Sequence, residues 1–421
     1  MIAASPKKII HLVPGTGNFY SGVCLRDHAL VRELRRMGHD AELAPLYLPL
    51  ILDHEEPNLR PLEIGGVDLY FQQHSALYRK IPRGIRQLLD SEPILKVASA
   101  CMTMTRARDL GVMTVGSFQC LDGPQRKGWR HLLDSLKRGP APDVASISLG
   151  LLSGLAKGIK EEIGCRIVVS LQGEDVFLDH LPDPWREEAW RRFAATAEFV
   201  DQFIAPSTYY ADRMSERLGV NGDKMAVVPN GAGDDAFQPA DAPPTQPTIG
   251  FLAQQCHGKG LDLLVDAFIE LKRSGEHPQL RLKVGGSLTG GDRKFVRKQQ
   301  RKIAAAGIAE DVDWRPNMSF NEKIDFLQSL SVLSVPTRYP EAFGQYAVEA
   351  MSCGVPIVQP AHGAFPELVQ LAEDGAIFDP DEEGALENAL NQQLQKSGQD
   401  SRLAERVRNR FTMRKVVEIV C

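Results

Sequence analysis

The chain opens the same supersecondary unit twice. Ile9 to Pro14 is a short apolar run. It is followed by the loop Gly15-Thr16-Gly17-Asn18-Phe19-Tyr20-Ser21-Gly22 and by a helical pattern from about Val23 to Met37, which stops at Gly38. Leu30, Leu34 and Met37 keep helical spacing toward a core. Thr248 to Ala253 starts again: an apolar run, a loop with His257-Gly258-Lys259-Gly260, then an amphipathic segment from Leu261 to Leu271. Strand, glycine loop, helix, strand is the opening of a doubly wound α/β domain. Two openings predict two such domains, residues 1–238 and 248–400. Between them, Pro239 to Pro247 holds four prolines in nine residues, the composition of an interdomain linker. The first glycine loop does not satisfy G-x-G-x-x-G, because position 20 is Tyr. A redox dinucleotide reading loses its main support there.

A chain of 421 residues with 43% hydrophobic and 24% charged residues can fill two soluble cores. Its net charge of -5 excludes a protein generally coated in nucleic acid. The seven cysteines are odd in number, widely spaced and form no C-x-x-C, which predicts free thiols in a reducing compartment. Met1 to Lys8 lacks the apolar core of a signal peptide, and no run of about eighteen apolar residues exists. These features predict a cytoplasmic protein.

The second domain carries the most informative stretch. Leu330 to Val335 reads as a buried strand, ended by Pro336. Glu341-Ala342-Phe343-Gly344 follows in the loop, and a helix is expected to run from Phe343-Gly344 to about Cys353, with Gly354 as its stop. Glu341 then lies at a strand's C-terminal end and Glu349 inside the next helix. The free N–H groups of the helix start lie between them, a ready anion site. Two carboxylates flanking an anion site suit a ligand with hydroxyls on both sides of a phosphate, which describes a nucleotide sugar.

The wording Glu-Ala-Phe-Gly followed by Glu-Ala-Met-x-Cys-Gly-Val-Pro resembles the Glu-x7-Glu signature of retaining GT-B glycosyltransferases, in particular glycosyltransferase family four. Met225 to Gly231 resembles that family's Val-Ile-Pro-Asn-Gly turn, and Gly363 with Pro366-Glu367 its later Gly-x-Pro-Glu turn. The resemblance implies two Rossmann-like domains facing across a cleft, with the tail 401–421 a helix that crosses back to the first domain. It implies that Glu341 contacts the donor sugar, Glu349 holds the ribose, and Phe343 and Gly344 offer backbone N–H to the diphosphate. Lys259 grips the same diphosphate, and Gly17 and Gly22 approach it from the N-terminal loop. Lys259 and Glu341 are the residues it places closest to the chemistry.

Two positions depart from the family's pattern. A His stands in many relatives where this chain has Gln172, and Gln cannot shuttle a proton at neutral pH. An Arg stands five residues before the Lys, where this chain has Gln254. Arg26 and Arg338 are the cations expected to compensate, with His257 a weaker one. The implied reaction is transfer with retention from a UDP-, GDP- or ADP-sugar, by the front-face route in which the leaving phosphate takes the acceptor's proton. It needs no protein nucleophile and no cofactor. No Asp-x-Asp metal motif stands in a suitable place, so Lys259, the helix start and backbone at Gly22 meet the charge. The alternative is a degenerate protein that binds a nucleotide sugar without transfer, motivated by Gln172 and Gln254. A GT-B epimerase or phosphorylase is a third reading, disfavoured because no cofactor lysine context or dedicated catalytic acids stand out.

Residues 76–138 hold twelve basic residues against five acidic ones. Within them, Leu77 to Leu89 and Arg126 to Arg138 are amphipathic. The plain reading is two surface helices on the sheet. The sharper one is a peripheral contact with anionic lipid at the inner face of the membrane, or with a lipid-linked or glycan acceptor.

Overall fold

The structure is a computed structural model that describes residues 5–15, 22–48, 59–62, 64, 107–231, 236–396 and 399–421. Gly17 and the amphipathic piece Leu77 to Leu89 lie outside these residues. The chain clusters into two compact units, Met1–Val228 with Met413–Cys421, and Pro229–Thr412. The proline-rich stretch 239–247 falls within the second unit.

The first unit is built on β1 (Lys8–Val13), β2 (Asp40–Pro45), β3 (Val144–Ile147), β4 (Arg166–Ser170), β5 (Gln202–Ala205) and β6 (Met225–Val227). All six pair parallel, in the order β2-β1-β3-β4-β5-β6. Strands covered on both faces need no polar alternation, which is why β1 reads Ile9-Ile10-His11-Leu12-Val13 and is buried throughout. The helix α1 (Gly22–Arg36) ends on Arg35 and Arg36, which suit the negative end of its dipole. Leu30, Val31 and Leu34 face the sheet, whereas Met37 lies beyond the last helical turn and is 38% exposed. Val31 takes the place the spacing gave to Met37. The helix α2 (Arg126–Lys137) buries Trp129, Leu132, Leu133 and Leu136 inside this unit. Its apolar face is therefore core, and on its outer face Arg130 and Lys137 both pair with Glu162.

The second unit repeats the plan with β7 (Thr248–Leu252), β8 (Arg281–Gly286), β9 (Val312–Pro316), β10 (Val332–Ser334), β11 (Ile357–Pro360) and β12 (Ala376–Phe378). The parallel order is β12-β11-β10-β7-β8-β9. Its helices named below are α3 (Leu261–Ser274), α4 (Arg293–Ala305), α5 (Phe320–Gln328), α6 (Gln345–Ser352), α7 (Phe365–Ala372) and α8 (Ser401–Arg410). Phe251, Phe268, Leu264 and Val284 are fully buried between sheet and helices. Each such side chain stabilises by about 1.5–3 kcal/mol.

The order of this sheet fixes where a ligand can bind. After β7 the chain moves to β8 and β9 on one side, then returns to β10 on the other. The crest between β7 and β10 is the topological switch point, and ligands of open α/β sheets bind outside the C-terminal strand ends at such a point. The loop after β7 carries Lys259, and the loop after β10 carries Glu341. The tail, expected as one helix, is two: α8 belongs to the second unit, and α9 (Met413–Val420) packs Val416, Val417 and Val420 against α1 in the first. Among the described residues no helix is long and apolar enough to cross a membrane. The five cysteines whose side chains are described are free thiols.

Candidate active site

The loops after β7 and β10 are tied together by backbone before any side chain acts. Arg338 N–H donates to the Gly258 carbonyl at 3.0 Å. The Arg338 guanidinium donates to the His257 carbonyl at 2.6 Å and to both oxygens of Asp262 at 2.8 and 3.0 Å. This clamp sets Lys259 beside Glu341, and the two form an ion pair with side chains only 17% and 14% exposed. The ammonium lies 4.9 Å from the Tyr339 ring centre and 5.9 Å from that of Tyr346. Burial pushes the Lys259 pKa down, but the Glu341 carboxylate overrides it and holds the group above the ordinary lysine value. Tyr346 is also buried, which pushes its phenol well up, and its hydroxyl reaches Glu341 Oε1 at 3.5 Å.

Past Glu341 the chain enters α6 through Gly344, whose φ of +87° only glycine adopts without strain. A Cβ there would also meet the Phe365 ring at 2.7 Å. Phe343, 4% exposed, packs near the Phe411 ring. It anchors the turn so that the first N–H groups of α6 open at the strand crest. Glu349 lies one turn before the end of α6 and is 5% exposed. It pairs with Lys323 Nζ at 3.0 Å. Lys323 is placed by the capping box of α5, in which Ser319 N–H donates to Glu322 Oε2 at 2.8 Å and the Glu322 N–H returns to the Ser319 hydroxyl. Its ammonium also sits 5.0 Å from the Phe237 ring centre. Lys323 is the residue sequence reasoning missed. Its partner lies 26 positions away and no motif announces it.

Gln254 stands in the same loop as Lys259, exposed, and its amide donates to Asp292 at 2.8 Å. The expected compensating cations are engaged elsewhere: Arg338 on Asp262, and Arg26, in the first unit, on Asp27. Next to Gln254, Gln255 is fully buried with neither end of its amide hydrogen-bonded among the described residues. Gly22 is the first residue of α1. Gln172 lies in the loop after β4, where its backbone N–H donates to Glu174. Glu174 is the buried centre of that loop, accepting also from Gly150 N–H at 2.7 Å and the Tyr210 hydroxyl at 2.9 Å. Burial pushes its pKa up against those donors. Gly22 and Gln172 are thus in the first unit, and Lys259, Gln254, Glu341, Phe343, Gly344 and Glu349 in the second. No group of three or more His, Cys, Asp or Glu able to hold a metal ion occurs among the described residues.

Comparison with known proteins gives a consistent result. Residues 234–410 match the family of glycosyl transferases group 1, and residues 115–235 match Glycosyltransferase Family 4. A D-inositol 3-phosphate glycosyltransferase of Streptomyces bingchenggensis is 29% identical over 192 residues, 42% of each chain. The chain spans less than half the length of the curated relatives it matches. Sucrose-phosphate synthase from Thermosynechococcus elongatus is similar over 98% of this chain and 97% of that one, at TM-score 0.67 and 17% identity. Anabaena Alr3699/HepE, solved in complex with UDP-glucose, is similar over 98% of both chains, at TM-score 0.63 and 15% identity. At these identities the solved structures speak for the fold alone. Two adjoining family matches on two doubly wound units make this chain a member of the family four, group 1 glycosyltransferases of GT-B fold.

Proposed function

We propose that the chain transfers a sugar from a nucleotide-sugar donor to a hydroxyl acceptor, with retention at the anomeric carbon. The observation that carries this is the Lys259–Glu341 pair at the switch point of the second sheet, beside the N-terminus of α6. A diphosphate entering there competes with Glu341 for the Lys259 ammonium. Glu341, released toward the sugar, is then free to accept its hydroxyls. The α6 N–H groups meet the charge that grows on the β-phosphate as the glycosidic C–O bond breaks. The acceptor oxygen forms the new bond on the same face, and its proton passes to the leaving phosphate. Glu349, oriented by Lys323, supports a ribose-binding role, because one carboxylate oxygen faces the lysine and the other is left for a diol.

The name of the Streptomyces relative makes D-inositol 3-phosphate the first acceptor to test. A peripheral contact through residues 76–138 rests on that segment's charge. Where α2 is described, its apolar residues are used in the core, so contact there is electrostatic.

The test is a thermal-shift screen against UDP-, GDP- and ADP-sugars, followed by product analysis with the best donor. A donor at 100 times its Kd stabilises by about 2.7 kcal/mol. Transfer with retained configuration supports the proposal. A donor that stabilises the protein but is neither transferred nor hydrolysed favours the degenerate reading, for which Gln254 held on Asp292 is the structural argument. No stabilisation by any of the three refutes both.

A further inference from the structure

The helix α4 of the second unit reads Arg-Lys-Phe-Val-Arg-Lys-Gln-Gln-Arg-Lys-Ile-Ala-Ala and contains no acid. Its buried residues are Val296, Gln299 and Ile303, and all six cations are exposed. They fall in two rows at i, i+4 spacing: Arg293, Arg297 and Arg301, and beside them Lys294, Lys298 and Lys302. At 1.5 Å per residue each row is about 12 Å long. Among the described residues only Lys302 has an acidic partner, Asp266. The arrangement works against the helix, because like charges at i, i+4 repel. Four such pairs stand on one face without acids between them. The chain as a whole is acidic at -5, so the basic face is local.

We propose that this face of α4 docks on an anionic phospholipid surface. Charge complementarity carries the assignment, and the chemistry of the face chooses among polyanions. A nucleic-acid-binding domain is basic overall, with pI above about 9, and single-strand binders add exposed aromatic rings for base stacking. This chain has a pI near 6.1, and the one aromatic residue of α4, Phe295, is half-buried. Two short parallel rows instead match the planar charge of a lipid leaflet. The exposed face carries no large apolar side chain to insert, so contact is with headgroups and is electrostatic. This inference is independent of the sugar-transfer reading.

The experiment is co-sedimentation of the full chain with phosphatidylcholine vesicles, with and without phosphatidylglycerol. Binding should require phosphatidylglycerol. It should disappear when salt rises from about 0.1 M to about 1 M, which shortens the screening length from roughly 10 Å to roughly 3 Å. Each surface cation contributes about fivefold near an anionic leaflet, so Arg297→Gln with Lys298→Gln should lower partitioning at least about tenfold. Gln keeps nearly the helix propensity of Arg and Lys, so the helix persists, and an unchanged far-UV spectrum checks it. Arg402→Gln, on α8, should bind as wild type. Equal binding by wild type and the double variant would overturn the proposal, as would binding to phosphatidylcholine alone. Preferential capture of the chain by RNA or duplex DNA over phosphatidylglycerol vesicles would also overturn it, in favour of a nucleic-acid partner.

Discussion

Replacing Lys259 by Met strips the counter-charge from Glu341 in a site where both side chains are largely buried. Breaking a buried ion pair from one side typically costs about 3–5 kcal/mol, because the remaining charge is stranded. Both groups keep some exposure, so the low end, about 3 kcal/mol, is expected for the second unit. In a unit of this size that is a fall in Tm of roughly 6–12 °C. Glu341→Gln should cost less, since Lys259 keeps the rings of Tyr339 and Tyr346 within 4.9 and 5.9 Å. The double variant strands nothing and should recover about 1–2 kcal/mol of the summed losses, within the usual range for residues in contact. The assay is scanning calorimetry of the four proteins, completed as a double-mutant cycle. Activity should separate from stability: Lys259→Met and the double variant should both lose roughly 10²–10³ in kcat, as for one missing oxyanion donor. The pH dependence has a definite sign. Burial opposes the Lys259 charge and Glu341 outweighs it, so the folded pKa lies above the unfolded one. The part that depends on the Lys259 charge is therefore complete below about pH 10.4 and fades only as pH rises beyond it. The wild-type advantage over Lys259→Met should stay flat from about pH 7 to about pH 10. Additive losses in the cycle, with coupling under about 0.5 kcal/mol, would refute the claim that this pair organises the site.

Lys323→Met should leave Glu349 charged and buried, cost about 3 kcal/mol and weaken nucleoside diphosphate binding by calorimetric titration. Unchanged nucleotide affinity would remove Lys323 from the site. Gly363→Ala should distort the site directly, because φ is +62° there and a Cβ would lie 2.6 Å from the backbone N and O of Glu341. The left-handed conformation alone costs about 1–2 kcal/mol, and donor KM should rise with it, whereas normal kinetics would show that the Glu341 loop yields freely. Asp27→Asn should destabilise the first unit by about 3 kcal/mol, since the carboxylate is buried against Arg26 and 3.2 Å from His11 Nε2. Burial raises the Asp27 pKa, but Arg26 and His11 together pull it below the usual carboxylate range. Its contribution is thus present above about pH 3.9 and lost as pH falls further, so acid unfolding of the variant should lack that component.

Much of the fold was legible because its signals are local. A parallel strand buried on both faces is a short apolar run, and a helix that must turn back onto the sheet announces itself with glycine at its ends. Ile9 to Pro14 and Thr248 to Ala253 carry both signals, and each pairs with a strand on either side, β1 with β2 and β3 and β7 with β8 and β10. Met37 shows the limit of that reading. Its spacing matches Leu30 and Leu34, yet the helix ends one residue earlier, and periodicity does not contain the point at which a helix stops.

The candidate site was legible where one segment carries several of its parts, as Glu341, Phe343, Gly344 and Glu349 do. It was not legible where a part depends on what another loop brings to it. Arg338 was the natural substitute for the missing arginine, lying three residues before Glu341. Its own charge is spent on Asp262, where it clamps the two loops and so holds Lys259 and Glu341 together. The cation is at the candidate site, where it works as a structural tie. Gln254 is bound in the same way to the rest of its surroundings, through Asp292. An arginine restored at position 254 would meet that carboxylate first. The substitution of one residue in the family's pattern has therefore to be read together with the acid beside it, and Asp292, 38 positions downstream, decides how much positive charge position 254 can offer.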